Sequence, residues 1–292
     1  MTPAGTSAEC VVNISEGRDG AVIAAVAEAG GDQLLDVHSD PEHHRSVLTL
    51  AGALTDVEAA ARRVATVAVS AIDLTTHHGV HPRLGGLDVV PFVPLRSPDG
   101  SVTPWASVVT ARDAFAAWAG ETLGLPCFLY GPERTLPDVR RGAFTTFAPD
   151  TGPVEPHPTA GATAVGVRQV LIAYNVWIGA AVPADCGPDG VVGVARVLAS
   201  ELRRPGLRTL GLAVGDGAQV SCNLVDPDQV GLVEVYDAVA RGAEAQGCVV
   251  QRGELVGLLP SAALSAVPPR RWNELGLRAE DTIEFRLGTR EG

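Results

Sequence analysis

No lysine occurs in this chain of 292 residues; all 22 basic side chains are arginine. The bias resembles that of a GC-rich genome, and no function follows from it. Positive charge is scarce, because 34 Asp and Glu outweigh the arginines and leave a net charge of −12. A broad nucleic-acid surface needs a positive field, so that class is excluded. A small anionic ligand held by a few arginines is not. No uninterrupted apolar run reaches the roughly 18 residues of a membrane span, and none is expected. Met1 to Ala8 have neither a basic n-region nor an apolar h-region, so no secretory leader is expected. The five cysteines are odd in number and lack CxxC spacing, which suits reduced thiols in a cytoplasmic protein. Cys10, Cys127, Cys222 and Cys248 sit in or beside apolar runs and read as small core residues; Cys186 completes the set. HExxH is missing too. His38, His43, His44, His77, His78 and His81 crowd the first part of the chain without the paired spacing of a helix-borne zinc site, and no metal is expected. Aromatics make up only 4%, yet 46% of residues are hydrophobic, much of that Ala and Val. Such a composition and length suit one large or two medium buried domains.

The most informative stretch is His77-His78-Gly79-Val80-His81-Pro82-Arg83-Leu84-Gly85-Gly86-Leu87-Asp88, followed by Val89-Val90-Pro91-Phe92-Val93-Pro94. Gly and Pro break any helix here. The segment reads as a rigid loop presenting imidazoles and one guanidinium ahead of a buried strand. Imidazole suits proton transfer near neutrality. A guanidinium fork suits a carboxylate, which makes Arg83 and Arg45 candidates for ligand carboxylates.

Periodicity predicts an element order. Strands are expected over Glu9 to Ile14, Gln33 to Val37, Ser46 to Ala51, Leu87 to Val93 and Pro126 to Tyr130. Helices are expected from Asp19 to Gly30, Thr55 to Ile72 and Trp105 to Leu123. A loop spans Asp150 to Gly166. A second pass then gives a strand Gln169 to Ile178, a helix Gly190 to Leu202, strands Arg208 to Val214 and Gln219 to Val225, a helix Val230 to Gln246 and a strand Cys248 to Leu258. Both passes read β-α-β-β-α-β. The expected fold is therefore α/β (α+β), with two sequential ferredoxin-like βαββαβ subdomains, residues 1–167 and 168–292, and a ligand cleft between them.

Several segments together resemble the formiminotransferase family, in which the transferase stands alone or is joined to a cyclodeaminase. They are Glu9 to Gly17, Leu35 to Pro41 with Arg45 to Thr49, His77 to Pro94, Asp138 to Gly142, His157 to Gly166, Leu171 to Asn175, Gln219 to Leu224 and Leu255 to Pro260. The resemblance covers residues 9 to 267, and no cyclodeaminase half is expected to follow.

What the resemblance implies is specific. The family moves a formimino group from N-formimino-L-glutamate to N5 of tetrahydrofolate, its co-substrate, in one-carbon metabolism and histidine degradation. His81, the second histidine of the His-x-Gly-x-His-Pro-Arg motif, falls at the catalytic position. Gly152, Pro153, Val154, Glu155, Pro156, His157, Pro158, Thr159, Ala160 and Gly161 form the matching folate-binding stretch. Asn13, His38, Arg45, Arg83 and Thr163 are candidate substrate contacts. A homodimer and a separate cyclodeaminase partner are also implied. The chain departs from the family pattern at Val80, where glutamate is expected, and at His78, His38, His44 and Trp177. These changes keep open another formimino or formyl donor, or a non-catalytic folate-binding protein.

Overall fold

The computed structural model describes residues 6–78, 83–96, 100–181, 190–215 and 217–289. The chain divides into two compact units, Met1–Gln169 and Val170–Gly292.

The first unit contains β1 (Ser7–Ile14), α1 (Gly20–Gly30), β2 (Leu34–Asp40), β3 (Arg45–Ala53), α2 (Leu54–Ala71), β4 (Leu87–Pro94), α3 (Trp105–Thr122), β5 (Cys127–Tyr130), α4 (Leu136–Gly142) and β6 (Thr163–Val167). Its sheet runs β2-β3-β1-β4-β6-β5. The first four strands pair antiparallel in the ferredoxin-like order, and β6 pairs parallel with both β4 and β5.

Asp19 starts α1 by accepting the Ala21 and Val22 backbone N–H groups, and Gly31 ends it with φ +59°. The inward stripe of α2 is Val57, Ala60, Ala61, Val64, Ala65 and Ala68, all buried. This stripe lies in one core with Cys10, Val12, Leu48 and Leu50 of the sheet. Every residue of β4 is buried, because both faces are covered. Val90 and Phe92 enter the core with the helices α1, α2 and α3. Val89 instead packs with Phe128, Tyr130, Ala162, Ala164 and Val139 of α4. A strand covered on both sides reads as a continuous apolar run.

Two elements depart from the expected order. The expected loop from Asp150 to Gly166 ends in β6, whose five residues insert between β4 and β5 and are all buried. α4 also forms beyond the predicted elements, started by a capping box in which Thr135 and Asp138 satisfy each other's backbone N–H groups.

The second unit contains β7 (Ile172–Ala180), α5 (Gly190–Leu202), β8 (Leu207–Val214), β9 (Gly217–Leu224), α6 (Leu232–Glu244) and β10 (Cys248–Val256), then the short helices α7 (Ser261–Ser265), α8 (Trp272–Leu275) and α9 (Ile283–Gly288). β7 begins at Ile172, three residues later than expected. The sheet order β10-β7-β9-β8 is antiparallel throughout and repeats the ferredoxin-like arrangement. Tyr174, Val176 and Ile178 join Leu198, Val235 and Val239 in the core. The Tyr174 hydroxyl donates to Leu275 O at 2.7 Å, which ties α8 to the sheet.

Four cysteines, Cys10, Cys127, Cys222 and Cys248, are buried. Burial pushes the thiols of Cys127 and Cys222 up to about 12, so neither supplies a thiolate near neutral pH. Cys186 lies outside the described residues. Among the described residues no helix is long and apolar enough to cross a membrane, and no group of His, Cys, Asp and Glu is arranged to hold a metal ion.

Candidate functional site

Backbone hydrogen bonds join three segments of the first unit. At the end of β1 the pairing with β4 shifts register between Asn13 and Ile14, and Ser15 follows. Ser15 donates its hydroxyl to Gly85 O at 2.7 Å and its N–H to Gly86 O at 2.8 Å. Gly86 in turn donates to Ala160 O at 2.9 Å, and Ala162 donates to Leu84 O at 3.2 Å. Leu74 donates to Thr159 O at 2.8 Å. The end of β1, the segment leading into β4 and the loop ending at Gly161 are thus one stitched junction. Gly85 is required there, because a Cβ would overlap Ala162 O and lie 2.7 Å from Ala160 O.

Side chains cluster beside this junction. Asp40, at the end of β2, accepts His43 Nδ1 at 2.6 Å and two backbone N–H groups of the turn. Burial pushes the Asp40 carboxyl up, but the bonds and charge from His43 and the Glu42 N–H together outweigh it and hold it at about 2. His44 sits at φ +50° in the same turn. Its Nδ1 accepts the Gly17 N–H at 3.1 Å, and Glu16 Oε1 stands 3.4 Å away. Burial lowers the His44 pKa, Glu16 opposes that, and Arg18 and Arg83 add to it, so the neutral ring is favoured.

The His77 ring stacks on His44 with centroids 3.9 Å apart. Its Nε2 meets Arg83 Nη1 at 3.1 Å and His44 O at 3.2 Å, while its buried Nδ1 has no partner among the described residues. Arg83 only donates, so one neutral tautomer serves Arg83 and the other serves His44 O. Either way Nδ1 makes no bond to another described residue. Asp88, buried in β4, accepts the Leu84 N–H at 2.6 Å and a two-pronged pair from Arg140 at 2.6 and 3.3 Å. The cluster sets imidazole nitrogens beside guanidinium groups, an arrangement that can exchange hydrogen bonds with a ligand and hold a carboxylate.

The sequence-predicted residues divide into groups. His38 of β2 and Asn13 of β1 both pair with Val47 of β3, and Arg45 pairs with Asp40. Directly paired residues share a face, so Asn13, His38 and Arg45 lie on the sheet face opposite α1, α2 and α3. Asn13 spends its Nδ2 on Val11 O at 3.0 Å. Thr163 does not join them. It is fully buried, and its strand-mates Val165 and Val167 face the helices, so the pleat turns Thr163 to the other side.

The Gly152 to Gly161 stretch splits in two. Gly152, Pro153, Val154, Glu155 and Pro156 form an exposed arm. His157 to Gly161 is a closed turn, with His157 and Gly161 exchanging backbone bonds and His157 Nδ1 accepting from Ala160 N at 3.0 Å. Arg83 stands against His77 as described. His81 and Val80 lie outside the described residues. Sequence reading assigned no role to Asp88, Arg140 or Glu16. The signal for Asp88 was a lone acid in an otherwise apolar strand, since a carboxylate is rarely fully buried unless paired.

The first family profile to match, described as the formiminotransferase domain, N-terminal subdomain, covers residues 7–168. Another, described as the formiminotransferase domain, covers residues 202–268. The chain is 35% identical over 282 residues to the glutamate formimidoyltransferase of Streptococcus pyogenes serotype M1, covering 88% of this chain and 90% of the relative. It is 31% identical over 284 residues to the protein of the same name from Thermoplasma acidophilum, covering 88% and 89%. It is 35% identical over 288 residues to the formimidoyltransferase-cyclodeaminase of Sus scrofa, covering 88% of this chain and 50% of the relative. The chain therefore spans about half the length of that bifunctional relative.

Proposed function

Because the chain belongs to the formiminotransferase family, we propose that it moves a formimino group from N-formimino-L-glutamate to N5 of tetrahydrofolate. One observation carries the reading best. The stitched junction holds the end of β1, the flanks of the histidine loop and the His157 to Gly161 turn together.

Roles follow from the chemistry of transfer. His81 takes the proton that N5 gives up on bonding to the amidine carbon. It returns a proton to the glutamate nitrogen as that carbon–nitrogen bond breaks. Glutamate and 5-formimino-tetrahydrofolate are the products. Arg83 and Arg45 hold substrate carboxylates, and Asn13 and His38 contribute polar contacts from the same sheet face as Arg45. The exposed arm Gly152 to Pro156 and the turn to Gly161 bind the folate. His77 Nδ1, buried without a partner among the described residues, offers a hydrogen bond to a ligand. A separate cyclodeaminase is the partner that consumes the product, and the protein acts as a homodimer.

The test is His81→Ala. General acid–base catalysis by one side chain is worth about 10²–10⁴ in rate. The variant should lose that much kcat in a spectroscopic transfer assay and keep its tetrahydrofolate affinity. An unchanged kcat would remove His81 from the mechanism. No transfer from N-formimino-L-glutamate by the unaltered protein would overturn the donor assignment.

A further inference from the structure

The second unit carries a polar cluster that the roles above do not use. Glu254 of β10 pairs with Asn175 of β7, Arg252 pairs with Trp177, and Trp177 pairs with Gln219 of β9. These residues share one face of the sheet, alternating with Tyr174, Val176 and Ile178, which enter the core. A bulge between Val250 and Arg252 sets the register of β10 at this point.

One carboxylate oxygen gathers three donors. Glu254 Oε2 accepts Trp177 Nε1 at 2.9 Å, Asn175 Nδ2 at 3.2 Å and Gln219 Nε2 at 3.2 Å. That convergence fixes the Gln219 carboxamide, because a flipped amide would set its oxygen against the carboxylate. Gln219 is fully buried, and its Oε1 has no partner among the described residues. An orphaned buried acceptor is rare and needs a donor from outside the network.

The other carboxylate oxygen is poorly served. Arg252 Nη2 stands 3.8 Å from Glu254 Oε1, too far for a hydrogen bond. The guanidinium lies over the Trp177 ring, 4.1 Å from its centroid, and the Arg252 side chain is 58% exposed. A planar nitrogen cation thus already covers Trp177 beside Glu254, but loosely.

We propose that this site binds a planar amidinium, which displaces Arg252 from the Trp177 face and donates N–H bonds to Glu254 Oε1 and Gln219 Oε1. A carboxylate beside an orphaned acceptor repels anions. The amide and indole groups turn their N–H ends inward, which leaves too few oxygens for a metal ion. An amidinium offers the flat charge that suits an aromatic face and the paired donors that both oxygens lack.

Formamidinium chloride is the probe, titrated into the full chain. The readout is the fluorescence difference between the unaltered protein and Trp177→Phe, which isolates one of four tryptophans. A saturable change is expected. Arg252→Ala should tighten binding about two- to fivefold, the worth of an exposed ion pair. Glu254→Gln, similar in shape but uncharged, should weaken it at least about tenfold. Formamide, planar but neutral, should give no saturable change. Equal affinity in Glu254→Gln, or no saturation in both the unaltered protein and Arg252→Ala, would overturn the proposal, as would a site filled by water alone. Should Glu254→Gln fail to fold, Arg252→Ala and the formamide comparison decide.

Discussion

Replacing Gly85 with alanine tests whether the stitched junction holds the candidate site. The added Cβ would overlap Ala162 O and sit 2.7 Å from Ala160 O, and both obstacles are backbone. No side chain can swing away to relieve the overlap, so one of the two segments must move. Three bonds depend on their spacing: Ser15 Oγ to Gly85 O at 2.7 Å, Gly86 N to Ala160 O at 2.9 Å and Ala162 N to Leu84 O at 3.2 Å. Each is worth about 1 kcal/mol net, so the substitution should destabilise the first unit by about 2–4 kcal/mol. Gly20→Ala is the matched control. Gly20 opens α1 with none of the described residues within 4 Å of its added Cβ, and alanine there should gain about 0.4–1 kcal/mol by restricting the unfolded chain.

Hydrogen exchange of individual amides is the assay, because a chain of two units need not unfold in one step. The Gly86 and Ala162 amides should lose protection in Gly85→Ala, while amides of β7 to β10 keep theirs. Transfer activity should fall with them. A loss under about 0.5 kcal/mol, with both amides still protected, would refute the reasoning.

Arg112 is 1% exposed and donates to both carboxylate oxygens of Glu133 at 2.7 and 2.8 Å, to Asp113 at 2.9 Å and to Tyr130 O at 3.2 Å. Arg112→Met should cost about 2–3 kcal/mol in thermal denaturation, less than a wholly buried pair because Glu133 and Asp113 regain water. Glu133→Gln should cost under about 1 kcal/mol. Asp40 gives the pH dependence. Its folded pKa of about 2 lies below the ordinary aspartate value of 3.8, so the carboxylate contributes stability above pH 3.8 that is lost as pH falls toward 2. Asp40→Asn should flatten the stability-versus-pH curve in that window, and parallel curves for the two proteins would refute the assignment.

The ferredoxin-like order was legible because each repeat alternates strand and helix periods with clear stops. Asp19 and Gly31 bound α1, for example, and the stripe of α2 keeps helical spacing over its whole length. β6 was not legible. Thr163 to Val167 has five residues, including glycine, and it is a strand only because β4 and β5, distant in sequence, flank it on both sides. Local pattern carries no trace of such partners.

The candidate site shows the same division between nearness along the chain and nearness across the sheet. Thr163 stands two residues from Gly161, yet the pleat buries it on the helix side. Asn13, His38 and Arg45 come from three strands, yet pairing in register puts them on one face. Asn175, Gln219 and Glu254 are the extreme case. No spacing links them, and their convergence on one oxygen depends on two strand pairings and a bulge. Motif resemblance reaches His81 because its neighbours are consecutive. It does not reach Glu254, whose partners meet only when three strands are aligned.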